Sequence, residues 1–350
     1  MQMTDISSKP KLAIVIPVFN VESYIRECLD SVRSQTYKNF VVFAVDDGSN
    51  DRSGVILDDY SKMDGRFFVI HKKNGGVSSA RNAALDVIER DGSFDGICFI
   101  DSDDYVKPDF LSTFVSLSLE HNADYVVSAW ETFDRLGSSH IARNKILAHS
   151  LKIINKQEAY EQFLGSGQWK NKSKSCSLFC SNRYFSKLIV QGLRFDLNLK
   201  NAEDQDFIMR ALIRVKRGVV TSAVTYMYRL RLSSISHSNS DRMYDMLFAS
   251  RLLDNFNYFP TAGMRSIEYL ACKYWWACVR QSIYDGTFSK KRVAIHKVYE
   301  IIRSHRFHDS SIFYSYRKRM FIYSLGELAL RIYLCIKNKN HKDDLENAFP

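Results

Sequence analysis

The chain has 350 residues, of which 45% are hydrophobic and 25% charged, and a formal net charge of +10. This balance is typical of a globular protein and excludes disordered, collagen-like and low-complexity chains. The length predicts about two domains, or one large α/β domain with an appendage.

The ends of the chain and its cysteines indicate a cytoplasmic protein. Residues 1–11 are polar and lack the apolar core of a signal peptide. The apolar run 321–336 is interrupted by Glu327 and Arg331 and falls short of the roughly 20 residues that a membrane-spanning helix needs. The seven cysteines are an odd number without paired spacing. This favours a reducing compartment over a disulfide framework or a zinc site.

Residues 12–130 alternate short β-rich apolar runs with helical patterns. The predicted strands are Leu12–Ile16, Phe40–Val45, Phe67–Ile70, Ile97–Ile100 and Tyr125–Val127. One predicted helix has an apolar face formed by Ile25, Cys28, Leu29 and Val32, and two further helices are predicted at Gly76–Ile88 and Asp109–Leu119. This rhythm predicts a mostly parallel sheet with helices on both faces and a ligand at the carboxyl ends of its strands.

The rest of the chain divides into an irregular, a mixed and a helical part. Residues 131–176 lose the rhythm and are predicted to form an irregular flap with a helix near Gln157–Phe163. A strand near Leu178–Cys180, a loop at Gly192–Asn201 and a helix with an apolar face of Ile208, Ala211, Leu212 and Val215 are expected next. A β-rich run at Val219–Leu230 follows, and from Asp241 the pattern is helical, with Trp275 and Trp276 in its core.

The strongest local signal is the acidic sequence Asp101-Ser102-Asp103-Asp104, directly after a predicted strand. Three carboxylates at the end of a strand repel one another unless a cation lies nearby. Mg²⁺ or Mn²⁺ suits carboxylate oxygens and bridges to substrate phosphates. The alternative is a solvated turn that caps the next helix.

Two other predicted strand ends carry polar residues. Asp46 and Asp47 follow the second strand, and a carboxylate there can accept hydrogen bonds from a nucleobase or a ribose. Asp51 in the same segment is interpreted as a helix cap. The first strand runs into Pro17-Val18-Phe19-Asn20, where the proline is expected to end the strand and the asparagine to cap a helix.

Gly75 and Gly76 precede a predicted helix that contains Arg81. Backbone amides and a guanidinium at a helix start are suited to an anionic or nucleotide group, although a plain turn explains a glycine pair equally well. The segment is neither a Walker sequence nor a GxGxxG fingerprint.

Two downstream segments complete the candidate site. Glu203 and Asp204 open a helix, where acids either complement the helix dipole or provide a general base for an acceptor hydroxyl. A second segment gathers cations, hydroxyls and one imidazole suited to a diphosphate leaving group, namely Arg229, Arg231, Ser234, Ser236 and His237. For the lone histidine, a structural role and a ligand role both remain open.

The C-terminal region is a basic module. Residues 287–350 hold 13 Lys and Arg against 6 Asp and Glu, which is +7 of the total of +10. Aromatic residues lie among these cations, a mixture that suits an anionic membrane surface. A solvated basic face is the plain alternative. Nucleic acid is the least favoured partner.

In this order the motifs resemble those of the family 2 glycosyltransferases, and more narrowly the bacterial enzymes that build capsule, exopolysaccharide or O-antigen chains. The resemblance runs from Leu12 to about His237. It is carried by Ile16–Asn20, Val45–Ser49, Gly76–Asn82, Asp101–Asp104 and Glu203-Asp204.

The resemblance implies a GT-A fold and an inverting, metal-dependent transfer of a single sugar from a nucleotide-sugar, most often a UDP-sugar. The donor-binding half is expected at about 12–130, the acceptor half at 131–240 and a helical basic region at 241–350. The residues that it implies for the nucleotide-sugar are Pro17, Phe19, Asp46, Asp47, Arg81, Asp101, Ser102, Arg229, Arg231, Ser234 and Ser236.

For the chemistry, the resemblance implies Asp204 as general base with Glu203 beside it. Asp101 and Asp103, with His237, are the expected ligands of Mn²⁺ or Mg²⁺. The acceptor would be a glycan or a lipid-linked oligosaccharide, reached from the inner face of the membrane. The Q-x-x-R-W signature of the processive synthases is missing. A sugar-phosphate nucleotidyltransferase and a non-catalytic carbohydrate- or membrane-binding protein are the alternatives.

Overall fold

The structure is a computed structural model that divides into two compact units, Met1–Ser238 and Asn239–Pro350. It describes residues 9–133, 151–164, 179–199 and 203–230, and between 272 and 324 residues 272, 275–276, 278–280, 282–283, 288–304, 317, 319–321 and 323–324.

The first unit alternates strands and helices. Its strands are β1 (Leu12–Val18), β2 (Phe40–Asp46), β3 (Phe67–His71), β4 (Gly96–Phe99), β5 (Tyr105–Val106), β6 (Tyr125–Phe133), β7 (Leu151–Ile154), β8 (Arg183–Ser186) and β9 (Gly218–Arg229). Its helices are α1 (Ile25–Arg33), α2 (Ser53–Met63), α3 (Val77–Asp91), α4 (Phe110–Glu120), α5 (Lys156–Leu164), α6 (Lys187–Val190) and α7 (Glu203–Leu212).

The strands form one sheet in the order β3-β2-β1-β4-β8-β6-β9-β5, and β7 pairs with β9. Strands β3, β2, β1 and β4 are parallel. The second half is mixed, because β8 is antiparallel to both β4 and β6, whereas β6 and β9 are parallel. The carboxyl ends of β1, β2 and β4 therefore share one edge of the sheet.

Helices cover both faces of this sheet, as the strand–helix rhythm predicts. The even-numbered residues of β1, from Leu12 to Val18, belong to a buried apolar cluster with α1, α2 and α4. Side chains alternate between the faces of a strand, so Ala13 and Val15 lie on the opposite face, where α3 packs against β1 and β2. Both faces of β1 are buried.

Most predicted elements are confirmed within a few residues, including the helix in the 131–176 region, which is α5. The predicted strand at Leu178–Cys180 is wrong: its described residues form a bend, and the strand is β8 at Arg183–Ser186. The bend is held by tertiary contacts, since the Cys180 N–H donates to the Asp204 carboxylate rather than to a neighbouring strand. The predicted irregular flap also contains the strand β7.

Pro17 does not end β1, which continues to Val18. The Val15 carbonyl accepts the Ile100 N–H on the β4 side, and Pro17 lies two residues later on the same edge of β1. Because β4 ends at Phe99, no neighbouring strand requires an N–H from Pro17, and the proline is accommodated inside the strand. Asn20 does not cap α1: its side chain accepts the Asn50 N–H.

The described part of the second unit is helical, as the sequence predicts. Its longest helix is α8 (Phe288–Ser304). Trp275 and Trp276 are buried as expected, and the Trp275 indole donates to the Ile295 carbonyl of α8. None of the described helices is long and apolar enough to cross a membrane.

Candidate active site

The sheet edge formed by β1, β2 and β4 carries Phe19, Asp46 and Asp101, three of the predicted site residues. Phe19, just after β1, exposes 44% of its surface, while Pro17 is buried in the strand. Asp46 ends β2 and Asp101 lies just beyond β4. This is the edge at which open α/β sheets bind their ligands.

The centre of the site is Arg81 of α3, which is only 3% exposed and contacts three acidic side chains. One guanidinium nitrogen is 2.9 Å from Asp101 Oδ1. Another is 2.5 Å from Asp204 Oδ1 and 3.5 Å from Glu203 Oε1. Arg81 therefore joins the acidic turn after β4 to the first turn of α7, although these acids lie about a hundred residues apart in sequence.

Two neighbouring residues complete this acidic cluster. The Cys180 N–H donates to Asp204 Oδ2 at 3.0 Å, and the Ser181 hydroxyl donates to Asp101 Oδ2 at 2.9 Å. The bend just before β8 thus contacts the Asp204 and Asp101 carboxylates at the same time. Nothing in the local sequence indicates this role for Cys180 or Ser181.

Burial and neighbouring negative charges raise the pKa of Glu203 and Asp204, the first two acids of α7. Burial and the neighbouring Asp204 charge raise the pKa of Glu203 to about 7, against the opposing effect of Arg81. Burial also raises the pKa of Asp204, and the Arg81 charge opposes this shift. Burial by itself would lower the pKa of Arg81, but its acidic neighbours outweigh this and raise it. Arg81 therefore remains charged.

Asp104 is the last residue of the acidic turn and is buried. Its carboxylate accepts hydrogen bonds from the Tyr226 hydroxyl at 2.6 Å and from the backbone N–H of Arg229 at 2.8 Å. Burial, with the charges of Asp103 and Asp101, raises the pKa of Asp104 well above its usual range. Ser102 is also buried in this turn.

Arg229, predicted to meet the diphosphate, is engaged with the protein itself. Its Nε donates to the Asp103 carbonyl at 2.7 Å and its guanidinium pairs with Glu27 of α1. It also lies over the rings of Tyr24 and Phe133. Its contact with a donor remains a prediction.

The carboxylates at the end of β2 also have partners within the chain. Asp47 accepts hydrogen bonds from the Gly75 and Gly76 N–H groups and from Lys72. The anionic group that these glycine amides receive in this structure is thus the Asp47 carboxylate. Gly76 has a φ of +87° just before α3, a conformation that favours glycine.

Asp46 lies in a chain of contacts with His71 and Asp58. His71 Nδ1 is 3.0 Å from Asp46 Oδ2, and its Nε2 is 2.9 Å from Asp58 Oδ1. Burial raises the pKa of Asp46, but hydrogen bonds from Ser49 and His71 outweigh it and lower the pKa. Hydrogen bonds to Asp58 and Asp46 raise the pKa of His71. Asp51 is not the N-cap of α2, which is Arg52, but its side chain accepts the Ser53 N–H at the start of that helix.

Arg231, Ser234, Ser236 and His237 lie outside the described residues. Their predicted contacts with the donor or the metal remain predictions. So do the ligand contacts of Pro17, Phe19, Asp46, Asp47, Arg81, Asp101, Ser102 and Arg229.

The described residues fit a divalent cation only together with a diphosphate. Across the described ranges, no group of three or more His, Cys, Asp or Glu side chains is arranged to hold a metal ion. Asp101 and Asp103 nevertheless supply carboxylate oxygens at one turn, and Mg²⁺ is commonly held by one or two carboxylates plus substrate phosphates. Asp101 already pairs with Arg81, so a cation would share this carboxylate with a buried guanidinium.

Residues 13–181 match the sequence model of a family described as Glycosyl transferase family 2. The chain is 31% identical over 229 residues to the glycosyltransferase GlyA of Streptococcus pneumoniae serotype 4, over 65% of this chain and 31% of GlyA. It is 29% identical over 240 residues to EpsH of Bacillus subtilis, named a glycosyltransferase, over 67% of this chain and 65% of EpsH.

Staphylococcus aureus TarS, a poly(ribitol-phosphate) beta-N-acetylglucosaminyltransferase, is 28% identical over 222 residues, 62% of this chain and 35% of TarS. The crystal structure of TarS 1–349 with UDP-GlcNAc matches with a TM-score of 0.57 at 20% identity, covering 83% of this chain and 88% of that chain. The chain thus spans about a third of GlyA and of TarS and just under two thirds of EpsH. The predicted GT-A fold is confirmed, and residues 13–181 match glycosyltransferase family 2.

Proposed function

We propose that this protein transfers a single sugar from a nucleotide-sugar, of which a UDP-sugar is the first choice, to a hydroxyl group of a glycan or lipid-linked acceptor. The transfer inverts the anomeric centre and depends on Mn²⁺ or Mg²⁺. This transfer is a step in the synthesis of a bacterial surface polysaccharide.

One observation carries the proposal: the Arg81 contacts bring Asp101, Glu203 and Asp204 together at the carboxyl end of β4. An inverting transfer needs a carboxylate to accept a proton from the acceptor, and separate groups to stabilise the diphosphate on the other side of the sugar. The two acidic motifs supply these groups from different elements of the fold.

On the acceptor side, Asp204 acts as general base. Arg81 and the Cys180 N–H each occupy one of its oxygens, yet a carboxylate oxygen has two lone pairs, so Asp204 keeps acceptor capacity for a hydroxyl proton. Burial raises its pKa, which makes it a stronger base near neutral pH. The two fixed contacts orient the carboxylate before the acceptor arrives.

On the donor side, Asp101 and Asp103 would hold the divalent cation beside the donor diphosphate. When bound, this cation supplies Lewis-acid stabilisation of the negative charge on the leaving diphosphate. Arg81 remains charged beside Asp101 and adds positive potential. Phe19 offers an exposed ring and Asp46 a carboxylate acceptor for the nucleoside at the ends of β1 and β2.

The names of the relatives support a surface polymer as the acceptor. TarS is named as acting on poly(ribitol-phosphate), and its solved complex contains UDP-GlcNAc. The basic region 287–350 carries +7 of the net charge. We place the enzyme at the inner face of the cell membrane through this region, where a lipid-linked acceptor would lie.

The test is product analysis with purified full-length protein, a panel of UDP-sugars and an extract of lipid-linked acceptors, with and without Mn²⁺. The proposal expects release of UDP together with glycosylated acceptor of inverted anomeric configuration, and loss of both after chelation. A nucleotidyltransferase would instead release pyrophosphate from UTP and a sugar 1-phosphate. Absence of both activities, with no binding of any nucleotide, would favour a non-catalytic protein.

A further inference from the structure

The proposed mechanism leaves one buried titratable group without a role. Asp104 is 1% exposed and directly follows Asp103. A carboxylate that is removed from water is costly unless hydrogen bonds replace its hydration. Both oxygens of Asp104 have such bonds, and both donors, Tyr226 and Arg229, belong to β9.

The Tyr226 hydroxyl holds both ends of the acidic turn. It donates to Asp104 Oδ2 at 2.6 Å and accepts the Asp101 N–H at 3.2 Å. Tyr226 is fully buried, and its backbone is paired with Val106 of β5 on one side and Trp130 of β6 on the other. The hydroxyl is therefore fixed by the sheet.

Arg229 holds the middle of the same turn. Its backbone N–H donates to Asp104 Oδ1 at 2.8 Å, and its side-chain Nε donates to the Asp103 carbonyl at 2.7 Å. The guanidinium is itself held by the ion pair with Glu27 and by the Phe133 ring, 4.3 Å away. The backbone of residues 101–104 is thus anchored at several points by one strand.

We infer that Tyr226 and Arg229, acting through the Asp104 carboxylate, are positioning residues that hold Asp101 and Asp103 in the geometry required by the donor diphosphate. This inference rests on the proposed function, in which Asp101 and Asp103 meet the donor. A turn that is ordered before binding loses less conformational entropy when the ligand arrives. Loosening it weakens donor binding before it affects proton removal by Asp204.

The test uses Tyr226→Phe, which deletes only the hydroxyl, and calorimetric titration of the full chain with nucleoside diphosphates in the presence of Mn²⁺. The nucleotide that wild type binds is then used for the variants. We expect about tenfold weaker binding, the effect of one hydrogen bond to a charged group. The KM for the donor rises accordingly, whereas kcat at saturating donor changes much less.

Tyr160→Phe is the matched control, because the buried Tyr160 hydroxyl donates to the Met209 carbonyl at 2.7 Å, away from this turn. This control is expected to lower the melting temperature without changing nucleotide affinity. If Tyr226→Phe does not fold, Asp104→Asn is used, since its amide nitrogen cannot accept from Tyr226 or Arg229.

The outcomes separate this inference from the proposed function. Wild-type protein that binds no nucleoside diphosphate overturns the proposed function. Wild-type protein that binds one, with equal affinity in the folded variant of Tyr226 or Asp104, overturns the positioning role alone. Equal weakening in Tyr160→Phe also overturns it, because the effect would then follow from general destabilisation.

Discussion

Arg81 shows how one buried residue determines the electrostatics of the site. Its guanidinium compensates Asp101, Glu203 and Asp204, which would otherwise repel one another in a partly desolvated region. Removing one partner of a buried charged cluster is strongly destabilising because it leaves the other charges uncompensated. Arg81 is therefore a poor first target for mutagenesis, and single acids are better probes.

The role of Asp204 is tested with Asp204→Asn. The amide keeps the shape of the side chain but cannot accept the proton, so turnover is expected to fall ~10²-fold or more while donor affinity stays near wild type. Steady-state kinetics and nucleotide titration measure the two quantities. Asp206→Asn is the control, because Asp206 is another acid of the first turn of α7 and pairs with Arg210. Equal loss in both variants would reduce Asp204 to a helix-dipole role.

Asp103→Asn tests the cation at the acidic turn. An uncharged amide is a poorer ligand for a hard cation, so the part of the UDP affinity that depends on Mn²⁺ is expected to disappear. Titration of UDP with and without Mn²⁺ measures this part. Asp109→Asn, at an exposed position a few residues later, should leave it unchanged. Unaltered Mn²⁺ dependence in Asp103→Asn would contradict the assignment.

His71 predicts a pH dependence of stability. Its folded-state pKa is raised by Asp58 and Asp46, so its contribution is fully present below its unfolded pKa of about 6.5 and is lost as the pH rises through the folded value. His71→Gln is therefore expected to destabilise the protein more at about pH 5.5 than at about pH 9. Thermal unfolding across this range measures the difference. A destabilisation independent of pH would contradict the ion pairs.

At the scale of elements, β8 determines the second half of the sheet. It enters antiparallel between β4 and β6 and carries Tyr184, whose ring lies across Gly96 of β4. A methyl group on Gly96 would lie 2.1 Å from this ring. The glycine is therefore required by the close approach of a side chain from the neighbouring strand.

Gly96→Ala is expected to destabilise the protein by about 1–3 kcal/mol, the usual cost of overpacking a well-packed core. Chemical denaturation measures the change. Gly65→Ala is the matched control, since a methyl group at Gly65 meets no atom within 4 Å. If both substitutions have the same small effect, the packing of Tyr184 against β4 is looser than this structure indicates.

At the scale of the whole molecule, the charge is unevenly divided between the two units. The exposed face of α8 includes Arg292, Val293, which is 84% exposed, and Arg303, which lies 3.7 Å from the exposed Glu300. Arg319, another cation of the second unit, lies over the Trp276 ring. The mixture of cations and an exposed apolar residue supports the proposal of a membrane-facing surface.

Replacing Arg317, Lys318 and Arg319, three cations of the basic region 287–350, with Gln tests the proposed membrane association. Each cation near an anionic membrane contributes about 1 kcal/mol, so the variant should sediment less with anionic liposomes, while activity on a soluble acceptor persists. High salt should release wild type in the same assay. The control replaces Lys9, Arg26 and Lys62, three exposed cations of the first unit, with Gln. If the wild-type protein does not sediment with anionic liposomes at low salt, the proposal is contradicted.

The strand–helix rhythm of residues 12–130 and the acidic strand ends are readable from local sequence, because hydrophobic periodicity and turn chemistry act over a few residues. The roles of Cys180, Ser181 and Tyr226 were decided only by the tertiary structure. They face the acidic motifs across separations of 24 to 125 residues, and no local pattern encodes such contacts. For the same reason the strand β8 and the buried position of Arg81 among three acids emerged only when the sheet brought distant segments together.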